Sequence, residues 1–212
     1  MKIAVIGATG KTGRAVVELA LAHQHTVTAM VRNAAKAEAA FGQRVAIVEK
    51  DALALTPEEL KGYDAVVDAF ASRQAAYQHL DLATRLIATF RGDEHTIVAF
   101  ILGASSLREA DGSLVIDRVL AKNAGADWVE TPKQQAYEYQ YLQWVDNVRW
   151  TAISPQFEFV DGPAGNYRLG QDDLMTDPAG KSIVTTGNLA AALLAELEHP
   201  AHLRQRFTVV ND

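Results

Sequence analysis

Cysteine is missing from all 212 residues, which excludes disulfides, thiol chemistry and cysteine-ligated metals. Long apolar runs are missing too. The strongest, Ile97 to Leu102, falls far short of the ~20 residues a membrane-spanning helix needs. Positive charge is in deficit, with 20 lysines and arginines against 26 aspartates and glutamates and a net charge of -6. That balance argues against non-specific nucleic-acid binding. The six histidines, His23, His25, His79, His95, His199 and His202, show no metal-ligand spacing. His23 and His25 read as exposed turn residues. Asp172, Asp173 and Asp177 lack the order of a calcium loop and read as surface carboxylates, so no metal is expected. Neither an internal repeat nor a polar linker divides the chain, and one domain over residues 1–212 is expected. Met1 runs straight into an apolar segment with no room for a secretory leader, so a cytoplasmic location without a membrane partner is expected.

What the chain does have is concentrated in residues 2 to 13. Ile3 to Ile6 is a continuous apolar run, the pattern of a strand buried on both faces of a parallel sheet. Gly7, Gly10 and Gly13 follow, then an amphipathic stretch from Arg14 to Ala22 that reads as a helix. Strand, glycine turn and helix in that order form a pyrophosphate site. Gly7 permits a sharp turn, Gly10 lets a diphosphate approach the main chain, and Gly13 lets helix and strand pack closely. The unpaired N–H groups of the first helical turn then face the anion. Thr9, Lys11 and Thr12 of the same loop join the expected cofactor-binding set. A nucleoside-triphosphate loop is ruled out, because its first glycine would stand at Val5.

Beyond this loop, strands and helices alternate. Strands are expected at 25–31, 44–48, 65–69, 96–102, 150–154 and 206–210. Helices are expected at 34–40, 57–60, 75–90, 132–148 and 188–197, while 114–120 reads as a short helix or an extended loop. Thr131 is the expected cap of the 132–148 helix, with Tyr137, Tyr141, Leu142, Val145 and Val148 on one face. The short connections indicate an α/β fold with a doubly wound parallel sheet. Residues 156–185, with glycine, proline and the aromatics Phe157, Phe159 and Tyr167, read as an excursion of loops and short strands over the carboxyl edge of that sheet.

Ligands of such sheets lie beyond the carboxyl ends of the strands, which assigns further positions. An NAD site usually presents an acidic side chain about twenty residues past the glycine loop. Here Arg32 stands in that region, with Lys36 one turn on. A guanidinium grips a 2′-phosphate through paired charge-assisted bonds, so NADP is favoured over NAD; the alternative for both residues is a solvated rim. Asp51 is either an acceptor for the adenine amino group or a surface turn carboxylate. Asp68, Ala69 and Phe70 leave the fourth strand beside the expected nicotinamide ribose, where Asp68 serves the ligand or bonds loop amides. Gly103 to Ser106 reach the nicotinamide end.

These pieces, with Val27-Thr-Ala-Met-Val-Arg-Asn33, Trp150-Thr-Ala-Ile-Ser-Pro155, Gly180-Lys-Ser-Ile183, Asn188-Leu-Ala190 and Arg206-Phe-Thr-Val209, resemble the atypical short-chain dehydrogenase/reductases. The likeness is to their NAD(P)-binding and NADH-flavin reductase members, and the chain is similar to the flavin reductase/biliverdin reductase B group. The resemblance implies a Rossmann-like fold and a nicotinamide dinucleotide (NADPH, on the Arg32 reading), with FMN, another flavin or a quinone-like molecule as a planar redox acceptor under the carboxyl-terminal loops. Phe157, Phe159 and Tyr167 are expected either to cover that acceptor or to pack the excursion. Related chains include non-catalytic redox sensors, and a reductase or epimerase of small carbonyl compounds is a further alternative. Carbonyl-reducing members use a tyrosine with lysine four residues on, but Tyr137, Tyr139 and Tyr141 are followed at that spacing by Tyr141, Gln143 and Val145. Solvent or a hydroxyl such as that of Ser105 or Ser106 is expected to manage the proton. The tyrosines at 137 to 141 suggest a helix surface suited to a homodimer, with a monomer equally open.

Overall fold

In the computed structural model, which describes residues 1–212, the alternation of side chains along the first strand sorts two cores. Along β1 (Lys2–Ile6), Ile3 and Val5 join one cluster, while Ala4 and Ile6 join the other on the opposite face. This is the period of two that a doubly covered strand requires. The first cluster lies under α1 (Lys11–Ala22), α2 (Ala34–Phe41) and α7 (Thr186–Glu198). The second lies under α3 (Pro57–Leu60) and α4 (Gln78–Phe90), together with α6 (Glu130–Leu142) and the turn after it.

The strands are β2 (Thr26–Val31), β3 (Ala46–Glu49), β4 (Ala65–Asp68), β5 (Ile97–Ile101), β6 (Trp150–Ser154), β7 (Glu158–Val160), β8 (Tyr167–Gly170), β9 (Ile183–Thr185) and β10 (Arg206–Asn211). The main sheet runs β3-β2-β1-β4-β5-β6-β10-β8 and is parallel except for the last pair. Chain order reverses beside β1, between β2 and β4, so the loops after β1 and β4 diverge there and open a crevice.

Five local expectations need adjusting. Residues 75–77 form a tight turn, with Gln78 and His79 bonding three residues back to Ala75 and Ala76, so the helix starts at Gln78. Residues 115–122 are a helix, α5 (Val115–Lys122), whose Asp117 carboxylate accepts from the Leu114 N–H at 3.1 Å. The α6 helix starts at Glu130, out of a 3-10 turn at Asp127–Val129, so Thr131 does not cap it. Pro132 falls in its first turn, where no donor is needed. The same helix stops at Leu142; Val145 and Val148 reach the core from the turn beyond it, which Trp150 fastens by donating from Nε1 to the Val145 carbonyl at 2.9 Å. Tyr137 points outward, and Ala136, Glu138 and Leu142 are the buried positions instead.

The excursion divides. β7 and β9 pair as a small parallel ribbon, whereas β8 leaves it to pair antiparallel with β10 at the edge of the main sheet. Asn188 holds the parts together, accepting from the Gly165 N–H at 2.6 Å and donating to the Asn211 side chain at 2.8 Å. No helix of the chain is long and apolar enough to cross a membrane.

Candidate functional site

At the β1–α1 turn, two glycines are imposed by contact. Gly7 has φ +74°, and a Cβ there would lie 2.6 Å from the Ala69 carbonyl oxygen. A Cβ on Gly13 would lie 2.4 Å from the Gly7 carbonyl oxygen. The loop is therefore pressed against both the β4 exit and the helix. No side chain caps α1, and the N–H groups of Lys11, Thr12 and Gly13 find no acceptor in the protein. Three orphan donors at a helix start, with the positive end of its dipole, suit a phosphate.

Two cavities meet at this turn. The first, about 230 Å³, collects Gly7, Thr9, Gly10, Arg32, Lys36, Ala69 and Phe70, along with Met30, Lys50 and Ala52. Neither the Arg32 guanidinium nor the Lys36 ammonium has a hydrogen-bond or ion-pair partner in the protein, whereas Lys50 is held by Glu59 at 2.8 Å. Asp51 does not line this cavity. It accepts from the Leu53 N–H at 2.9 Å and starts the 3-10 turn Ala52–Ala54.

The second cavity, about 420 Å³, contains Lys11, Thr12, Ala69, Phe70, Gly103, Phe157 and Phe159, joined by Arg73, Gln135 and Gln156. Phe70 and its neighbours Ala69 and Ala71 line both cavities, so a single elongated ligand can run from one to the other. Lys11 spans the mouth, donating to the Phe159 carbonyl at 2.9 Å with its ammonium 4.8 Å from that ring's centre. Gln156 is buried and braces the excursion, donating to the Thr208 hydroxyl and accepting from the Met175 N–H.

Three more expected site residues lie elsewhere. Ser106 is drawn away by the buried guanidinium of Arg206, which donates to its hydroxyl at 3.1 Å and to Asp172 at 2.6 Å. Asp172 is thus an ion-pair partner, as is Asp173 with Arg108 at 2.8 Å. Tyr167 sits on the outer strand of the sheet, opposite Asn211. Ser105 is buried with an unpartnered hydroxyl and does not line the second cavity. His23 is the exposed turn residue expected, whereas His25 is half-buried. Both bond the same oxygen of Glu198, at 3.0 and 2.8 Å, and so tie the end of α1 to the end of α7.

Beneath Phe70 lies a buried acidic pair. The Asp68 carboxylate accepts from the Phe70 N–H at 3.0 Å, and burial pushes its pKa up to about 7. Glu138 enters from α6 only 3% exposed, with one carboxyl oxygen unpartnered. Burial, then the charge of Asp68, pushes it well above the usual carboxylate range. His79 stands edge-on to Phe70, with ring centres 5.4 Å apart, and accepts from the Ser72 N–H at 3.3 Å. Burial lowers its pKa, in keeping with a neutral ring that shapes the loop bearing Arg73. Sequence reasoning missed Arg73, Gln135, Gln156 and Glu138. A signal for Glu138 existed, since it stands four residues before Leu142 on the same helical face.

A family model described as NAD(P)H-binding matches residues 7–200. The YwnB protein of Bacillus subtilis strain 168 is 36% identical, over 100% of this chain and 99% of its own. A Lactobacillus casei protein of known structure is 42% identical, with a TM-score of 0.94 and complete coverage of both chains. A Streptococcus pneumoniae TIGR4 protein, described as a candidate NADH-flavin reductase, is 31% identical with a TM-score of 0.89, again with complete coverage.

Proposed function

The chain belongs to the NAD(P)H-binding family, and from that premise we propose that it is an oxidoreductase that uses NADPH to reduce a flavin or quinone-like acceptor. The observation that carries the cofactor preference is Arg32, an unpaired guanidinium in the first cavity, with the unpaired Lys36 beside it. Both are free to meet a 2′-phosphate, and no carboxylate lines that cavity to meet a ribose hydroxyl pair. The diphosphate falls to the orphan amides of Lys11, Thr12 and Gly13. The nicotinamide end falls to the second cavity, between Phe70 and Gly103.

When bound, the reduced nicotinamide supplies two electrons and a proton as hydride. The chain's part is positioning. The Phe70 backbone is fixed by Asp68, Phe157 and Phe159 offer apolar walls that exclude water, and Lys11 holds the Phe159 strand over the mouth. Bringing two flat rings to reacting distance is what such walls contribute. The lack of a tyrosine–lysine pair on α6 supports an acceptor that needs little proton management from the protein. The NADH-flavin reductase description of the S. pneumoniae neighbour points the same way.

Two measurements test this. Arg32→Ala is expected to raise the Kd for NADPH by ~10- to 150-fold, the worth of a charge-assisted bond, while the Kd for NADH stays within ~3-fold. Equal weakening of both would remove the 2′-phosphate assignment. Steady oxidation of NADPH by riboflavin or FMN is the second expected result. Tight NADPH binding without turnover on flavins or a quinone would overturn the oxidoreductase reading in favour of a sensor.

A further inference from the structure

Outside the two cavities just described lies a larger groove of about 910 Å³, walled by the β4–α4 turn on one side and residues 127–134 on the other. Its walls are linked where the Thr131 hydroxyl donates to the Ser72 carbonyl at 3.4 Å. Arg73 lines both this groove and the second cavity, so the two adjoin at that residue. Its guanidinium has no hydrogen bond or ion pair within the protein. Tyr77 and Trp128 face the groove from opposite walls, 58% and 54% exposed. Large aromatics left this open at a cavity, with an unpaired arginine between them and the reaction site, fit a ligand that is both flat and anionic. The acidic groups bound the ligand's charge. Glu130 is neutralised by Lys133 at 2.8 Å, while Asp127 is unpaired at the far wall. One anionic group close to Arg73 is therefore accommodated, and a polyanion extending to Asp127 is repelled.

We propose that this groove is the outer half of the acceptor site, where Arg73 pairs with an anionic arm and Tyr77 and Trp128 flank a flat portion of the molecule. The proposal rests on the oxidoreductase reading for the identity of the ligand. It selects, among flat acceptors, those carrying a phosphate or carboxylate. Gln74 and Gln134, on the same walls, suit a hydroxylated linker.

The test uses FMN and riboflavin, which share a ring and differ in the phosphate. Flavin fluorescence is titrated against protein saturated with NADP⁺, where no turnover occurs. FMN is expected to bind ~10-fold or more tighter than riboflavin, the worth of one charge-assisted pair. Arg73→Gln should erase that difference, the loss falling on FMN ~10-fold more than on riboflavin or NADPH, since the lost pair is specific to the phosphate. Trp128→Ala should weaken both flavins by ~5-fold or more, as loss of a stacking face does. Both residues are at the surface, and circular dichroism checks that the variants fold. Equal binding of the two flavins by wild type overturns the proposal, as does an Arg73→Gln variant that loses NADPH as much as FMN. If riboflavin is turned over but FMN holds no advantage, the groove fails and the oxidoreductase reading stands. If FMN binding depends on Arg73 but NADPH is never oxidised, the groove stands and the oxidoreductase reading fails. If neither flavin binds but a quinone is reduced, the groove fails and the oxidoreductase reading stands; if no acceptor is bound or reduced, both fall.

Discussion

Gly13→Ala raises the Kd for NADPH at least ~100-fold while the circular dichroism spectrum stays that of an α/β protein. The added methyl would lie 2.4 Å from the Gly7 carbonyl oxygen and 2.9 Å from the Ala8 Cα, all backbone atoms that cannot rotate aside. Relief requires α1 to draw back from the loop, and the orphan amides of Lys11, Thr12 and Gly13 retreat with it. A misplacement near 1 Å is enough to cost on the order of a hundredfold where several polar groups act together. Overpacking also lowers stability by about 1–3 kcal/mol. Gly165→Ala serves as the control, because a Cβ there meets nothing within 4 Å, and its NADPH affinity should be unchanged. If Gly13→Ala bound NADPH as wild type does, the turn would not be the diphosphate site. Nicotinamide fluorescence decides the matter.

Asp68→Asn gains stability over wild type as pH rises, by on the order of 4 kcal/mol between pH 4 and pH 8. Burial lifts the Asp68 pKa from its ordinary 3.8 to about 7, and each tenfold change in proton affinity is worth about 1.4 kcal/mol. The sign follows from which state holds the proton. Below pH 4 the carboxyl is protonated in both folded and unfolded chains, and the raised pKa costs nothing. Between pH 4 and 7 the unfolded chain ionises while the folded chain does not, so folding is progressively penalised, and above 7 the full cost applies. The amide keeps an oxygen for the Phe70 N–H and carries no charge to repel Glu138. At about 2–4 °C per kcal/mol for a chain of this size, the Tm advantage of the variant should widen by roughly 10 °C across that range. A Tm difference that stays constant with pH would show that Asp68 titrates normally.

The glycine turn was legible because everything it needs is contiguous. A buried strand, a turn and an amphipathic helix are set by neighbours a few residues apart, and the same locality made most strands readable. Helix ends were less so. Pro132 looked like a start, yet the 3-10 turn at 127–129 feeds the helix from upstream, and a proline in the first turn is indifferent to which of its positions it takes. Tyr167 was misplaced for a different reason. Its strand pairs with β10, some forty residues later in the chain, and nothing near position 167 announces that partner.

Spacing along the chain therefore specified the α/β sheet, the glycine turn and Arg32 at the end of the second strand, since each depends on interactions within one strand–turn–helix unit. The wider site depended on register across the sheet. Arg206 takes Ser106 out of the second cavity from a hundred positions away, and Glu138 comes to rest near Asp68 only because α6 packs against α4 and the turn at Ala104–Ser106. Whether a serine donates to a ligand or holds an arginine is settled by which side chain arrives there, and that is a property of packing. The groove with Arg73, Tyr77 and Trp128 is of the same kind: three exposed residues from two loops, meaningless apart and adjacent once the sheet has brought both loops to one edge.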